Sequence, residues 1–200
     1  MSCADRAQFD EAIRRFDQAN AEDPRTEIIN QDEIPRELAF ARGVYNWVLK
    51  LSPTASEELL LAARGHTLRR WMIPRETYPK TRGGYRQWRN ALAQFHAEEA
   101  DKILQELRYS ETQRERVRAL ITRVNFPSDP DARTLEDADC LVFLETKLHN
   151  YIDEWGEEKT VQIIRRTLLK MSDAAKALAT QLSLPPKSAD ILHRALNAPG

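Results

Sequence analysis

Apolar residues recur every three or four positions along most of this chain, the spacing of one helical face. Phe9, Ile13 and Phe16 share such a face and predict a helix over 6–20. Leu38, Ala41, Tyr45 and Val48 repeat the pattern after Pro35 and predict a second over 34–51. In 52-SPTASEELLLAARGHTLRRW-71, Ser56 suits an N-cap, and Glu57 and Glu58 complement the positive end of the helix dipole. The apolar stripe that follows carries this helix to about residue 71. Further helices are expected over 84–107, 111–124, 134–153 and 157–182, with Pro185-Pro186 stopping the last, and a short one over 187–197. The segment 126-FPSDPDA-132 reads as a turn-rich loop, and 72–84, with its prolines and Gly83-Gly84, as a basic loop. No segment alternates as a strand does. The expected fold is all-α, a bundle of about seven to eight helices forming one domain over 1–200.

Composition supports this and adds one asymmetry. Six glycines in 200 residues leave little material for a sheet with many tight turns. The net charge is −1, which argues against a general polyanion binder. From Arg64 to Arg89, however, eight Arg and Lys residues face one acid, Glu76, so this window carries +7 and the rest of the chain −8. Such a local field gathers an anion even on a nearly neutral protein. Cys3 and Cys140 make neither a zinc-spacing motif nor a disulfide framework. The first residues lack a basic-plus-apolar leader, and no run approaches the length of a membrane span. A reduced, cytoplasmic protein without a membrane partner is expected.

Four places put ionisable groups into strongly apolar helices, where they are rare. Glu37 opens 34–51, His66 lies near the end of the alanine- and leucine-rich helix, His96 follows Phe95, and Glu136 and Asp137 begin 135-LEDADCLVFLE-145. Each has a plain structural role open to it. Glu37, Glu136 and Asp137 suit a first helical turn, and either histidine can be a satisfied core or surface group. Together, Glu37, His66, His96 and Asp137 supply two imidazoles and two carboxylates, a donor set for Mn, Fe, Co or Zn. Ligands on several helices suit a bundle with polar side chains turned inward. Such a centre would activate water and polarise a phosphoryl oxygen, with Glu136 and Asp137 as catalytic carboxylates.

The motifs AARGHTLRRWMIPRETYP (62–79), GYRQWR (84–89), EDADCLVFLE (136–145) and KMS (170–172) resemble those of a family known as domain of unknown function 4202. The likeness covers nearly the whole chain, and it implies no established activity. A looser resemblance is to the HD-domain metal-dependent phosphohydrolases. It implies that Glu37 stands where their first His belongs. His66 would be the His of their His-Asp pair, with Thr67 at the Asp. The helix from His96 would match a later His helix, and Asp137 or Asp139 their final Asp, Asp137 being preferred. The triplet Lys170-Met171-Ser172 also resembles a signature of class I aminoacyl-tRNA synthetases, but without the nucleotide fold beside it. A packed helix interior is the local role expected of it.

Arginine suits two-pronged recognition of phosphate, and the basic window interleaves arginines with aromatics that can stack on a base. Arg70, Arg75, Tyr78, Arg82, Tyr85, Arg86 and Arg89 are the expected binding residues for an anionic small molecule or nucleotide. The leading expectation is a metal-dependent hydrolase of a phosphorylated compound. A non-catalytic tRNA-, RNA- or nucleotide-binding helical protein, and an iron-dependent oxygenase, are the other readings.

Overall fold

The structure is a computed structural model, and it describes residues 3–29 and 31–197. Those residues form ten α-helices, two 3-10 turns and one two-stranded hairpin. The helices are α1 (Cys3–Asn20), α2 (Arg36–Leu51), α3 (Glu57–Gly65), α4 (Arg82–Glu106), α5 (Glu111–Thr122), α6 (Pro130–Thr146), α7 (Leu148–Trp155), α8 (Glu157–Leu168), α9 (Asp173–Ala179) and α10 (Pro186–Asn197). The described residues are mostly helical, as expected, with one small hairpin added. Strands β1 (Thr26–Ile29) and β2 (Asp32–Pro35) pair antiparallel, Thr26 opposite Pro35 and Ile29 opposite Asp32. Residues 34 and 35, expected to open α2, belong to this hairpin instead.

Helix α3 lies at the centre. Leu59, Leu61, Ala62 and Ala63 are wholly buried, and α3 packs against α1, α2, α5 and α6. Its start is set as expected: the Ser56 hydroxyl accepts from the Leu59 N–H at 3.2 Å. Its end is not. The helix stops at Gly65, and His66 is its C-cap rather than part of a helix running to 71. Other starts obey the same capping logic. Ser110 and Gln113 close a capping box on α5, and Asp129 accepts from Asp131 and Ala132 N–H groups with Pro130 at the first helical position of α6.

The basic segment 72–84 is more ordered than the expected loop. It starts on the last residue of a 3-10 turn at Arg70–Met72 and contains a second at Arg75–Thr77, and α4 already begins at Arg82 with Thr81 as its cap. Gly84 permits the close approach of loop and helix. A Cβ there would lie 2.2 Å from the Pro79 carbonyl oxygen, closer than any side chain tolerates. Two expected long helices are each divided. The 134–153 segment breaks at Lys147, where α6 ends and α7 starts. The 157–182 segment breaks after Leu168, and Ser172 caps α9. Lys170-Met171-Ser172 is therefore a turn rather than a helix interior, with Met171 buried. These breaks raise the helix count above the seven to eight expected.

Candidate functional site

One large cavity, of about 1000 Å³, opens among these helices. Its lining draws on α2, the residues after α3, α4, α6, α7 and α8. Helix α4 contributes Arg82, Arg86 and Arg89, spaced i, i+4, i+7 and so on one stripe. A second stripe comes from α8 and the turn beyond it, with Lys159, Ile163, Arg166 and Lys170. Arg36, Arg70, Arg123 and Lys147 complete ten cationic side chains, against three carboxylates, Glu37, Glu136 and Asp139.

Those three carboxylates are already engaged. Glu37 is buried and accepts from Arg25 at 3.1 Å, with the Arg70 Nε at 3.9 Å. Burial raises its pKa, and Arg70 and Arg25 pull the other way. Glu136 lies 2.5 Å from Arg123 Nε and 3.3 Å from Lys170 Nζ. Asp139 accepts from Arg123 Nη2 at 3.2 Å and faces His66 Nε2 at 3.3 Å. Burial would raise the pKa of Asp139, but the hydrogen bond from His66 and the charge of Arg123 outweigh it and hold the carboxyl well below its usual range. Lys147 turns to Glu27 of the hairpin.

The remaining cations have no such partner. Among the described residues, Arg36, Arg82, Arg86, Arg89, Lys159 and Arg166 make no ion pair with a carboxylate. The acids of the cavity are ion-paired with other cations, so the lining keeps an excess of positive charge, with Arg36 acting on Glu37 and Arg89 on Asp139 only at longer range.

Aromatic rings share the lining. Tyr85 and Trp88 of α4 have centroids 5.8 Å apart, and Tyr151 and Trp155 of α7 meet edge to face at 4.5 Å. The Arg70 guanidinium lies over Trp88, 4.9 Å from the ring centroid, and Trp88 Nε1 donates to the Ile73 carbonyl at 2.9 Å. Lys159 Nζ sits 4.8 Å over Trp155. Burial, and then the nearness of Tyr85, raises the Tyr151 hydroxyl pKa. Thr160, wholly buried, donates to the Tyr151 and Gly156 carbonyls and so fixes the basic face of α8 against the aromatics of α7.

Apart from Arg123 Nε, which is ion-paired with Glu136, two polar groups of the lining are buried without a hydrogen-bond partner among the described residues, His96 Nε2 and Thr67 Oγ1. His96 Nδ1 donates to the Leu68 carbonyl at 2.7 Å. That bond assigns the proton to Nδ1 and leaves Nε2 as an acceptor. Burial first, then the positive charges of Arg70 and Arg89, lowers the His96 pKa to about 3, so the ring is neutral.

The expected site residues divide on this geometry. Glu37, His66, His96, Glu136, Arg70, Arg82, Tyr85, Arg86 and Arg89 all line the cavity. Asp137 does not; it is buried on another side of α6, where its carboxylate accepts from the Ser172 N–H at 2.8 Å. Asp139, two residues on, takes its place. Arg75 and Tyr78 also lie outside the lining. Arg75 donates to the Tyr78 and Pro79 carbonyls at 2.8 and 2.9 Å and braces the loop.

The donors expected to share a metal do not fit one as placed. His66 uses both ring nitrogens, on the Ala63 carbonyl at 2.9 Å and on Asp139. Glu37 is paired with arginines and Asp137 is elsewhere. Among the described residues no three His, Cys, Asp or Glu side chains form a group able to hold a metal ion. Sequence reasoning missed Arg36, Arg123, Lys147, Tyr151, Trp155, Lys159, Arg166 and Lys170. For the α8 stripe a signal existed, in the helical spacing of Lys159, Arg166 and Lys170.

The chain belongs to a family. Residues 10–192 match the model described as "Domain of unknown function (DUF4202)", as the motifs implied. No curated protein and no solved structure matched the chain. Among the described residues no helix is long and apolar enough to cross a membrane.

Proposed function

We propose that the cavity binds a phosphorylated small molecule bearing an aromatic ring, the chemistry of a nucleotide. The observation that carries this reading is the set of six cations without carboxylate partners around one recess. Guanidinium groups match phosphoryl oxygens in a planar, two-pronged way. The Tyr85–Trp88 and Tyr151–Trp155 pairs offer faces on which a base stacks. A recess of this size suits a small ligand better than it suits an RNA strand tracking across a surface.

Hydrolysis of that ligand is the second reading, and His96 favours it. Its unpartnered Nε2 accepts from a water or a ligand hydroxyl. With a pKa of about 3, the ring orients such a group more readily than it removes a proton from it. Binding is therefore the stronger reading.

Thermal unfolding with AMP, ATP and inorganic pyrophosphate tests it. A ligand that binds only the folded chain raises the midpoint, and the rise grows logarithmically with ligand concentration above Kd. Midpoints that rise with ligand concentration support the reading, and midpoints unmoved by all three oppose it. Phosphate release from the same compounds, with and without added Mn, Fe, Co or Zn, separates hydrolysis from binding.

A further inference from the structure

The cations of the cavity are not one cluster. Arg82, Arg86 and Arg89 run along α4, and Lys159, Arg166 and Lys170 along α8 and its following turn. Helix α4 packs chiefly on α5 and α1, whereas α8 packs on α7 and α10. The two stripes therefore stand on separate walls. Each stripe holds two or three cations free of carboxylate partners, apart from Lys170 beside Glu136. From Arg82 to Arg89 a helix rises roughly 10 Å, so one stripe is already longer than a single phosphoryl group. The cavity, about 1000 Å³, lies at the upper end of the range for small-molecule sites, roughly 300–1,000 Å³.

We propose that the ligand carries anionic groups at two separated points, one held by the α4 stripe and one by the α8 stripe. Its class is a bisphosphorylated or polyphosphorylated compound rather than a monophosphate. This rests on the phosphorylated-ligand reading above and narrows it. A monophosphate placed on α4 leaves the α8 cations without a counter-charge. A second phosphoryl group supplies it, and its binding becomes intramolecular once the first is seated. The aromatic pairs belong one to each wall, Tyr85–Trp88 on α4 and Tyr151–Trp155 on α7 beside α8. Either pair can then stack the ring of the ligand while its anionic groups reach the two stripes.

Calorimetric titration of the full chain without divalent metal tests this with AMP, ATP and adenosine 3′,5′-bisphosphate. The proteins are wild type, Arg86→Ala/Arg89→Ala and Lys159→Ala/Arg166→Ala. All four positions except Arg89 are exposed, so the fold tolerates the changes. In wild type, ATP or the bisphosphate binds at least about tenfold more tightly than AMP, a difference of about 1.4 kcal/mol. The α8 double variant loses that advantage, and the α4 double variant weakens all three ligands. If AMP binds as tightly as both multiply charged ligands, or the α8 variant retains their advantage, the two-wall inference falls and the pocket reading stands. If none of the three binds wild type, both fall.

Discussion

Asp139 of α6 and His66 at the end of α3 meet across the cavity, Oδ1 to Nε2 at 3.3 Å, and the other carboxylate oxygen holds Arg123 at 3.2 Å. One carboxylate thus ties together the ends of α3 and α5. His66 is almost wholly buried, and removing its partner leaves two donors short of an acceptor. Asp139→Ala is expected to destabilise the fold by about 3 kcal/mol. Asp137→Ala loses a bond to the Ser172 N–H and is expected to cost about 1 kcal/mol. Urea unfolding of both variants checks this ranking.

His96 makes stability depend on pH. Its folded pKa of about 3 lies below the ordinary value of 6.5, so the unfolded chain binds the proton first. The contribution is fully present above pH 6.5 and is lost as pH falls toward 3, at roughly 1.4 kcal/mol per pH unit. His96→Gln removes this component. The difference in unfolding free energy between wild type and variant, followed from pH 7 to pH 4, is expected to shrink steadily. A difference independent of pH would contradict the neutral, buried ring.

Arg70 shows why charge alone does not specify this site. Its guanidinium lies 4.9 Å over Trp88 and near Glu37. Lysine keeps the charge but neither stacks as a plane nor grips phosphate with two prongs. Arg70→Lys is expected to weaken ATP binding by about tenfold, about 1.4 kcal/mol, with little change in urea midpoint. Unaltered affinity would place Arg70 outside the ligand contact.

Gly84 couples the loop to α4. A Cβ at this position meets the Pro79 oxygen at 2.2 Å, so the backbone of 79–84 must move. Gly84→Ala would ordinarily gain about 1 kcal/mol within a helix. Here it is expected to lose about 1–2 kcal/mol net, because overpacking outweighs propensity. Unfolding in urea gives the sign directly.

Much of the fold was legible from spacing and caps. Ser56 starts its helix where the sequence placed it, and the long apolar periods became α1, α2, α4, α5 and α6. The hairpin was not legible, because four residues in each strand are too few for alternation to stand out. The break at Lys147 was hidden by apolar residues that continue in helical spacing through Leu148 and Ile152. For the site, half of the basic wall was evident because the α4 arginines lie in a window with one acid. The α8 cations were masked by their neighbours Glu157 and Glu158, which face away from the cavity lining. Asp137 and Asp139 differ by two helical positions, about 200° of rotation, and composition cannot say which of them faces inward.

The most direct measurement uses Trp88 and Trp155, which line the cavity, as reporters. Tryptophan emission is followed while ATP is added to wild type and to Arg86→Ala/Arg89→Ala. A saturable change in wild type that the double variant needs far more ATP to reach is the expected result. Emission that does not saturate, or that responds alike in both proteins, would contradict a phosphorylated ligand held by the cations of this cavity.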